Sequence, residues 1–324
     1  VTAFVEALLE RARRARRRLL LSEGDDERVR EAATAIAGSR MADVTLLGTD
    51  ATAAWAAAEA PFVSVRNPRA DPSLERVAEL LARRKPEKVA APGAGRELAA
   101  DPLRFAAALV ALGEADATVG GAAHTTADVL RAALWAVGPA DGIRTVSSCF
   151  YMLTTAAGVL TFADCAVVPV PTAEQLAEIA LAAARDRRRV VGDEPVVAFL
   201  SHSTLGSGAG EAVDRVRRAL ELFRAAEPAI AADGELQADA ALVPAVARRK
   251  APASGAAGRA NVLIFPDLDS GNIAYKLVER VGQARAVGPM IQGLRHPCSD
   301  LSRGASADDI VLVSAVALLQ APGT

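Results

Sequence analysis

The stretch RLLLSEGDDERVREAATAIAGSRMADVTLLG, residues 18–48, decides the fold. Residues 18–21 are a short apolar run, residues 26–38 carry apolar positions at helical spacing, and residues 44–48 are apolar again. Strand, helix and strand in that rhythm predict a parallel sheet covered by helices. The alternation continues outward. A helix is expected over 74–85, and an apolar block over 103–113 leads to Ala117-Thr118-Val119-Gly120-Gly121, a strand running into a glycine turn. Polar residues follow at once, as expected where strand ends face a ligand.

Gly138-Pro139-Ala140-Asp141-Gly142 has the composition of a linker and marks a lobe boundary. Beyond it, 143–148, 159–162, 165–168, 196–201 and 261–266 read as strands, mostly parallel, with helices over 172–189 and 211–226. Thr172 and Gln175 stand in capping-box relation and fix the start of the longer helix. Gly288-Pro289 precedes the final segment, whose helix over 307–319 is apolar on enough faces to be buried. Returning that helix to the first lobe gives two crossings and therefore a hinge. The expected fold class is α/β, with two α/β/α lobes and an interlobe cleft. Residues 1–142 with 290–324 make the first lobe and residues 143–289 the second.

Composition bounds the function. The 324 residues are 51% hydrophobic and 23% charged, enough apolar surface to bury in two lobes, with no tract resembling a disordered tail. A formal net charge of -2, with basic residues spread along the chain, gives no electrostatic case for nucleic acid. Cys149, Cys165 and Cys298 are too few and scattered for a disulfide scaffold or a zinc site, which points to a reducing, cytoplasmic setting. No apolar run is long enough to span a membrane. The arginine-rich run over 4–18 reads as a surface helix rather than a targeting segment, because Glu6, Glu10 and a strand-like Leu19-Leu20-Leu21 accompany it.

Four loops combine groups that bear chemistry. In Asp300-Leu301-Ser302-Arg303-Gly304-Ala305-Ser306-Ala307-Asp308-Asp309, a hydroxyl, a guanidinium and a carboxylate lead into a helix. Arginine forks two donors onto a phosphoryl oxygen, and the helix start adds positive potential. Ser306 and Asp309 also fit a capping box, a commonplace helix start, so spacing alone favours the cap and leaves catalysis as the alternative. Gly120-Gly121-Ala122-Ala123-His124-Thr125-Thr126, with Arg131 further into the next helix, suits a phosphate but is not a dinucleotide fingerprint. The loop over 201–207 and the Asp267-Leu268-Asp269 turn before Tyr275 and Lys276 also lie at strand ends. Asp267 and Asp269 lack a third carboxylate, so no metal is expected. His124, His202 and His296 have no partner visible in the sequence.

Together these loops resemble the phosphate acetyl/butyryltransferase family over nearly the whole chain. The resemblance is carried by residues 22–28, by 121–128 with Arg131, by 233–240, by 265–268 with 271–276, and by Gly288-Pro289 leading to 300–304. It implies a fold like that of isocitrate and isopropylmalate dehydrogenases, a homodimer, and no metal or permanently bound cofactor. The implied reaction is reversible acetyl transfer between acetyl phosphate and coenzyme A, with inorganic phosphate released. It places Ser302, Arg303 and Asp309 on catalytic positions, Arg131 and Arg84 on arginines linked to coenzyme A, and Thr125, Thr126, Tyr275 and Lys276 at the acyl phosphate pocket. Lysine and asparagine are usual in the family where Leu205 and Ser299 stand. In the implied mechanism Asp309 takes the thiol proton, although an aspartate near pKa 4 facing a thiol near 8.5 leaves a gap of roughly 6 kcal/mol.

Overall fold

A computed structural model describes residues 2–91 and 93–321, and the chain divides into two compact units. One comprises Thr2–Asp141 with Leu294–Thr324, the other Gly142–Gly293. The return crossing therefore follows Gly293 rather than residue 289. The reason is that the strand Arg285–Gln292 pairs along its length with Ser147–Leu153 and so belongs wholly to the second unit.

The first unit is built on a five-stranded parallel sheet. Its order is Cys298–Asp300, Ala117–Gly120, Arg17–Leu21, Ala42–Leu47 and Ser64–Arg66. Leu19, Leu20 and Leu21 are all at most 2% exposed, because helices cover both faces of a parallel sheet. Leu20 points into a core with Leu47, Leu81, Phe105 and Leu109. On the other side the closing helix Ala307–Gln320 packs between Thr2–Ala15 and Glu27–Gly38, burying Ile310, Val313 and Ala317. The chain thus returns to its first sheet with both the last strand and the last helix.

The second unit holds a six-stranded mixed sheet, ordered Arg285–Gln292, Ser147–Thr154, Gly158–Ala163, Val262–Ile264, Val196–Leu200 and Ala231–Leu236. The first three strands are antiparallel neighbours and the rest parallel, so the sheet is less uniformly parallel than its sequence suggests. Pro289, which has no N–H to give, sits at a register shift in the edge strand. The run over 165–168 is no strand. Asp164 accepts the Ala166 and Val168 N–H groups at 3.1 and 2.7 Å and turns the chain there. The strand expected over 143–148 begins at Ser147. Thr172 and Gln175 do form the expected capping box.

Candidate active site

Three adjacent strands of the first unit end on one side of the sheet, and each passes through a short loop into a helix with a side-chain cap. Asp26 caps Glu27–Gly38, Thr125 caps Thr126–Ala136 and Ser306 caps Ala307–Gln320. Helix starts concentrate unpaired N–H groups and positive potential, so this rim suits an anion.

Arg28 joins the three loops. Its Nη1 donates to the Arg303 and Ala305 carbonyls, both at 2.8 Å, and its Nη2 to the Ala122 carbonyl at 3.0 Å. Asp26 orients the guanidinium through bonds of 2.8 and 3.1 Å, and that contact holds the Asp26 carboxyl below its ordinary range. Glu23, 7% exposed, takes the Ala122 and Ala123 N–H groups at 2.7 and 2.9 Å and lies 2.6 Å from His124 Nδ1. His124 thus has a partner more than a hundred residues away, beyond the reach of any sequence pattern. Beside these residues, a cavity of about 490 Å³ is lined by Glu23, Thr49, Asn67, Arg69 and His124 among others.

Asp300 ends the short strand before the serine-arginine loop and is completely buried. Its Oδ2 accepts from the Thr126 hydroxyl at 2.5 Å, whereas Oδ1 has no aligned donor. Burial pushes its carboxyl up to about 7, against the Thr126 and Leu301 contacts and with some help from the Glu23 charge. Gly121 makes room for it, since a Cβ there would stand 2.3 Å from Asp300 Oδ1.

The structure brings Ser302, Arg303, Asp309, Thr125 and Thr126 onto this rim. Ser302 and Arg303 are exposed, in a turn closed by the Ala305 N–H on the Ser302 carbonyl at 2.8 Å. Asp309 Oδ2 accepts the Ser306 N–H at 3.1 Å and its hydroxyl at 2.8 Å, so the capping box suggested by spacing is formed. The Thr125 and Thr126 hydroxyls donate to Asp128 and Asp300. What these threonines offer an anion is therefore the N–H face of the helix start. Arg131, on the same helix, is exposed and paired with Asp128. Arg84 ends the helix Leu74–Arg84 beside Gly138 and, among the described residues, has no carboxylate partner. Burial, then Arg295 and Arg83, lower its pKa, which makes it a guanidinium lacking an anion.

Tyr275 and Lys276 belong to the second unit, on the helix Leu268–Arg280. Tyr275 stacks on Phe150 with ring centroids 4.0 Å apart, and Lys276 Nζ lies 5.0 Å from the tyrosine ring centre. Asp267 caps that helix by accepting the Ser270 N–H at 2.8 Å, a structural use of the carboxylate. The loop over 201–207 is held by Glu235, which accepts from Ser203 Oγ, the Gly206 N–H and Arg217. Burial works to raise the Glu235 carboxyl, but these donors outweigh it and hold it at about 2. Leu205 lies in this loop, 46% exposed and with a positive φ of 44°. Glu23, Arg28 and Asp300 escaped the sequence reading as site residues, since only folding brings their partners near.

Known proteins resemble the chain along nearly its whole length. The pattern of the family described as phosphate acetyl/butaryl transferase matches residues 3–318. The phosphate acetyltransferase of Treponema pallidum (strain Nichols) is 44% identical over 333 residues, covering 99% of each chain. Among solved structures, the EutD phosphotransacetylase from Staphylococcus aureus superposes with a TM-score of 0.90 at 34% identity, covering 99% of both chains. A phosphotransacetylase from Streptococcus pyogenes superposes with a TM-score of 0.91 at 36% identity, covering 97% of this chain and 98% of the other.

Proposed function

The chain belongs to the phosphate acetyl/butaryl transferase family, and from that premise we propose that it moves an acetyl group reversibly between acetyl phosphate and coenzyme A. The observation that carries the reading is the turn at Ser302 and Arg303. It is presented by a buried strand end on one side, a capped helix on the other, and Arg28 beneath. Arg303 grips the phosphoryl oxygens, Ser302 donates to the oxyanion that develops on the acetyl carbonyl, and the thiolate of coenzyme A attacks that carbon directly. Phosphate is the leaving group, and no acyl-enzyme is formed. The bonds that Asp309 accepts from Ser306 support, for this carboxylate, the task of holding the helix end under the turn.

Coenzyme A is a substrate here and no resident cofactor is required. Arg84, unpaired by any described carboxylate, and exposed Arg131 serve its phosphates. Thr125 and Thr126 serve the acyl phosphate in this reading, through the N–H face of the helix that Thr125 caps. A homodimer is supported by Ile273, Leu277 and Val281, spaced four apart at one helix end and 57%, 56% and 78% exposed, a row that a second copy would cover. Three free, buried cysteines suit a reducing cytoplasm, and no helix among the described residues is long and apolar enough to cross a membrane.

The assignment at the turn is tested with Arg303→Lys, which keeps the charge but loses the planar fork. Thioester formation should fall at least tenfold in kcat/KM for acetyl phosphate. Unchanged kinetics would remove Arg303 from the phosphate site.

A further inference from the structure

We propose that Asp300 and Thr126 form a proton relay, in which the Thr126 hydroxyl takes the thiol proton of coenzyme A while passing its own to the buried Asp300 carboxylate. This rests on the acyltransferase reading and gives it a proton acceptor in place of Asp309, whose carboxylate is engaged in the Ser306 cap. Three observations carry it. Asp300 is fully buried, so it reaches a substrate only through another group. Its one side-chain bond is from Thr126 Oγ1, on a residue that is itself only partly buried, two positions past His124 on the rim. Its second oxygen lacks an aligned donor, which is an arrangement suited to a carboxyl that gains and loses a proton.

The placement also accounts for Gly121. Any side chain there would strike Asp300 Oδ1 and the Leu301 backbone, so the glycine turn is shaped to the carboxyl. Burial raises the carboxyl to about 7, within about two pH units of an ordinary thiol, where a proton acceptor is effective near neutrality. The surrounding elements bring Glu23 and Arg28 from the segment after the first strand, and His124 from the glycine loop. The helix that Thr126 begins adds Asp128 and Arg131, the closing helix Asp308 and Asp309, and the turn itself Arg303. Of these, Glu23 acts on Asp300 directly, and its charge favours the protonated form.

The step balances. In thioester formation the S–H bond breaks, its proton goes to Thr126 Oγ1, and the Thr126 O–H proton goes to Asp300 Oδ2. The sulfur electron pair forms the S–C bond to the acetyl carbon, and the C–O bond to phosphate breaks with its pair on oxygen. That oxygen takes the proton back through Thr126, phosphate leaves as hydrogenphosphate, and nothing is oxidised or reduced.

The experiment measures kcat and both KM values from pH 5.5 to 8.5 for the full chain and for Asp300→Asn, Thr126→Val, Thr126→Ser and Asp309→Asn, with circular dichroism on each. Removing a positioned acid-base group typically loses about 10²- to 10⁴-fold. Asp300→Asn and Thr126→Val should lose kcat on that scale with KM little changed, and should lose the wild-type decline in kcat below about pH 7. Thr126→Ser should restore kcat to within about tenfold, and Asp309→Asn should keep the acid limb. Wild-type kcat in Asp300→Asn or Thr126→Val, or a lowered kcat with the acid limb intact, would overturn the relay while leaving the acyltransferase reading in place. A folded wild-type chain that forms no thioester would remove both. If Asp300→Asn does not fold, the comparison of Thr126→Val with Thr126→Ser decides the matter.

Discussion

Arg28 Nη1 holds the Arg303 carbonyl at 2.8 Å across 275 positions of sequence. The same nitrogen holds Ala305, and Nη2 reaches Ala122, so one side chain fixes the turn that carries Ser302 and Arg303 against the glycine loop. The geometry of the rim is therefore set by a residue that need not touch a substrate.

Arg28→Lys should damage activity and stability together. A lysine cannot span three carbonyls and a carboxylate, and partly buried acceptors left without donors cost about 1–3 kcal/mol. A urea unfolding curve should shift its midpoint down at constant slope, and kcat should fall at least tenfold as the turn loosens. An active variant with wild-type stability would mean that the loops hold themselves.

Gly121→Ala should be among the more damaging single substitutions in the first unit. The residue has φ of 105°, and a Cβ would lie 2.3 Å from Asp300 Oδ1 and 2.9 Å from the Leu301 nitrogen. Backbone strain and overlap with main chain together should cost more than about 2 kcal/mol, read from the same unfolding curves. Full stability in this variant would show that the two loops are not in contact.

Asp300 should make the protein less stable as pH rises. Its folded pKa of about 7 exceeds the unfolded value of about 4, so the folded state holds a proton that the unfolded state has lost between those limits. Its contribution is complete below about pH 4 and is lost as pH rises through about 7, by up to about 4 kcal/mol. Asp300→Asn carries no such titration. The difference in unfolding free energy, variant minus wild type, should be more positive at pH 8 than at pH 5. An equal difference at the two pH values would contradict a raised pKa.

Much of this was legible in the sequence because local pattern governs it. The alternation over 18–48 specified strand, helix and strand, and the caps at Thr172 and Ser306 could be read from spacing because a capping box is closed within four residues. The antiparallel edge of the second sheet was not legible, since an apolar run such as 147–154 has no sign of its partner's direction. Nor was 165–168, where apolar composition suggested a strand and the Asp164 carboxylate captured the backbone instead. At the site, spacing favoured the cap over catalysis for Ser306 and Asp309, and the structure forms the cap. Glu23 with His124, and Thr126 with Asp300, are pairs made by the order of the strands in the sheet. No window along the chain contains both members.

The central claim is acyl transfer at the Ser302-Arg303 turn, and thioester formation tests it most directly. Purified, folded protein is supplied with coenzyme A and, separately, with acetyl, propionyl and butyryl phosphate, and the new thioester is followed by its ultraviolet absorbance. The account predicts acetyl-coenzyme A with release of inorganic phosphate in equal amount, and loss of that product in Arg303→Ala. No thioester from any of the three acyl phosphates would contradict it and leave a protein that binds these ligands without converting them.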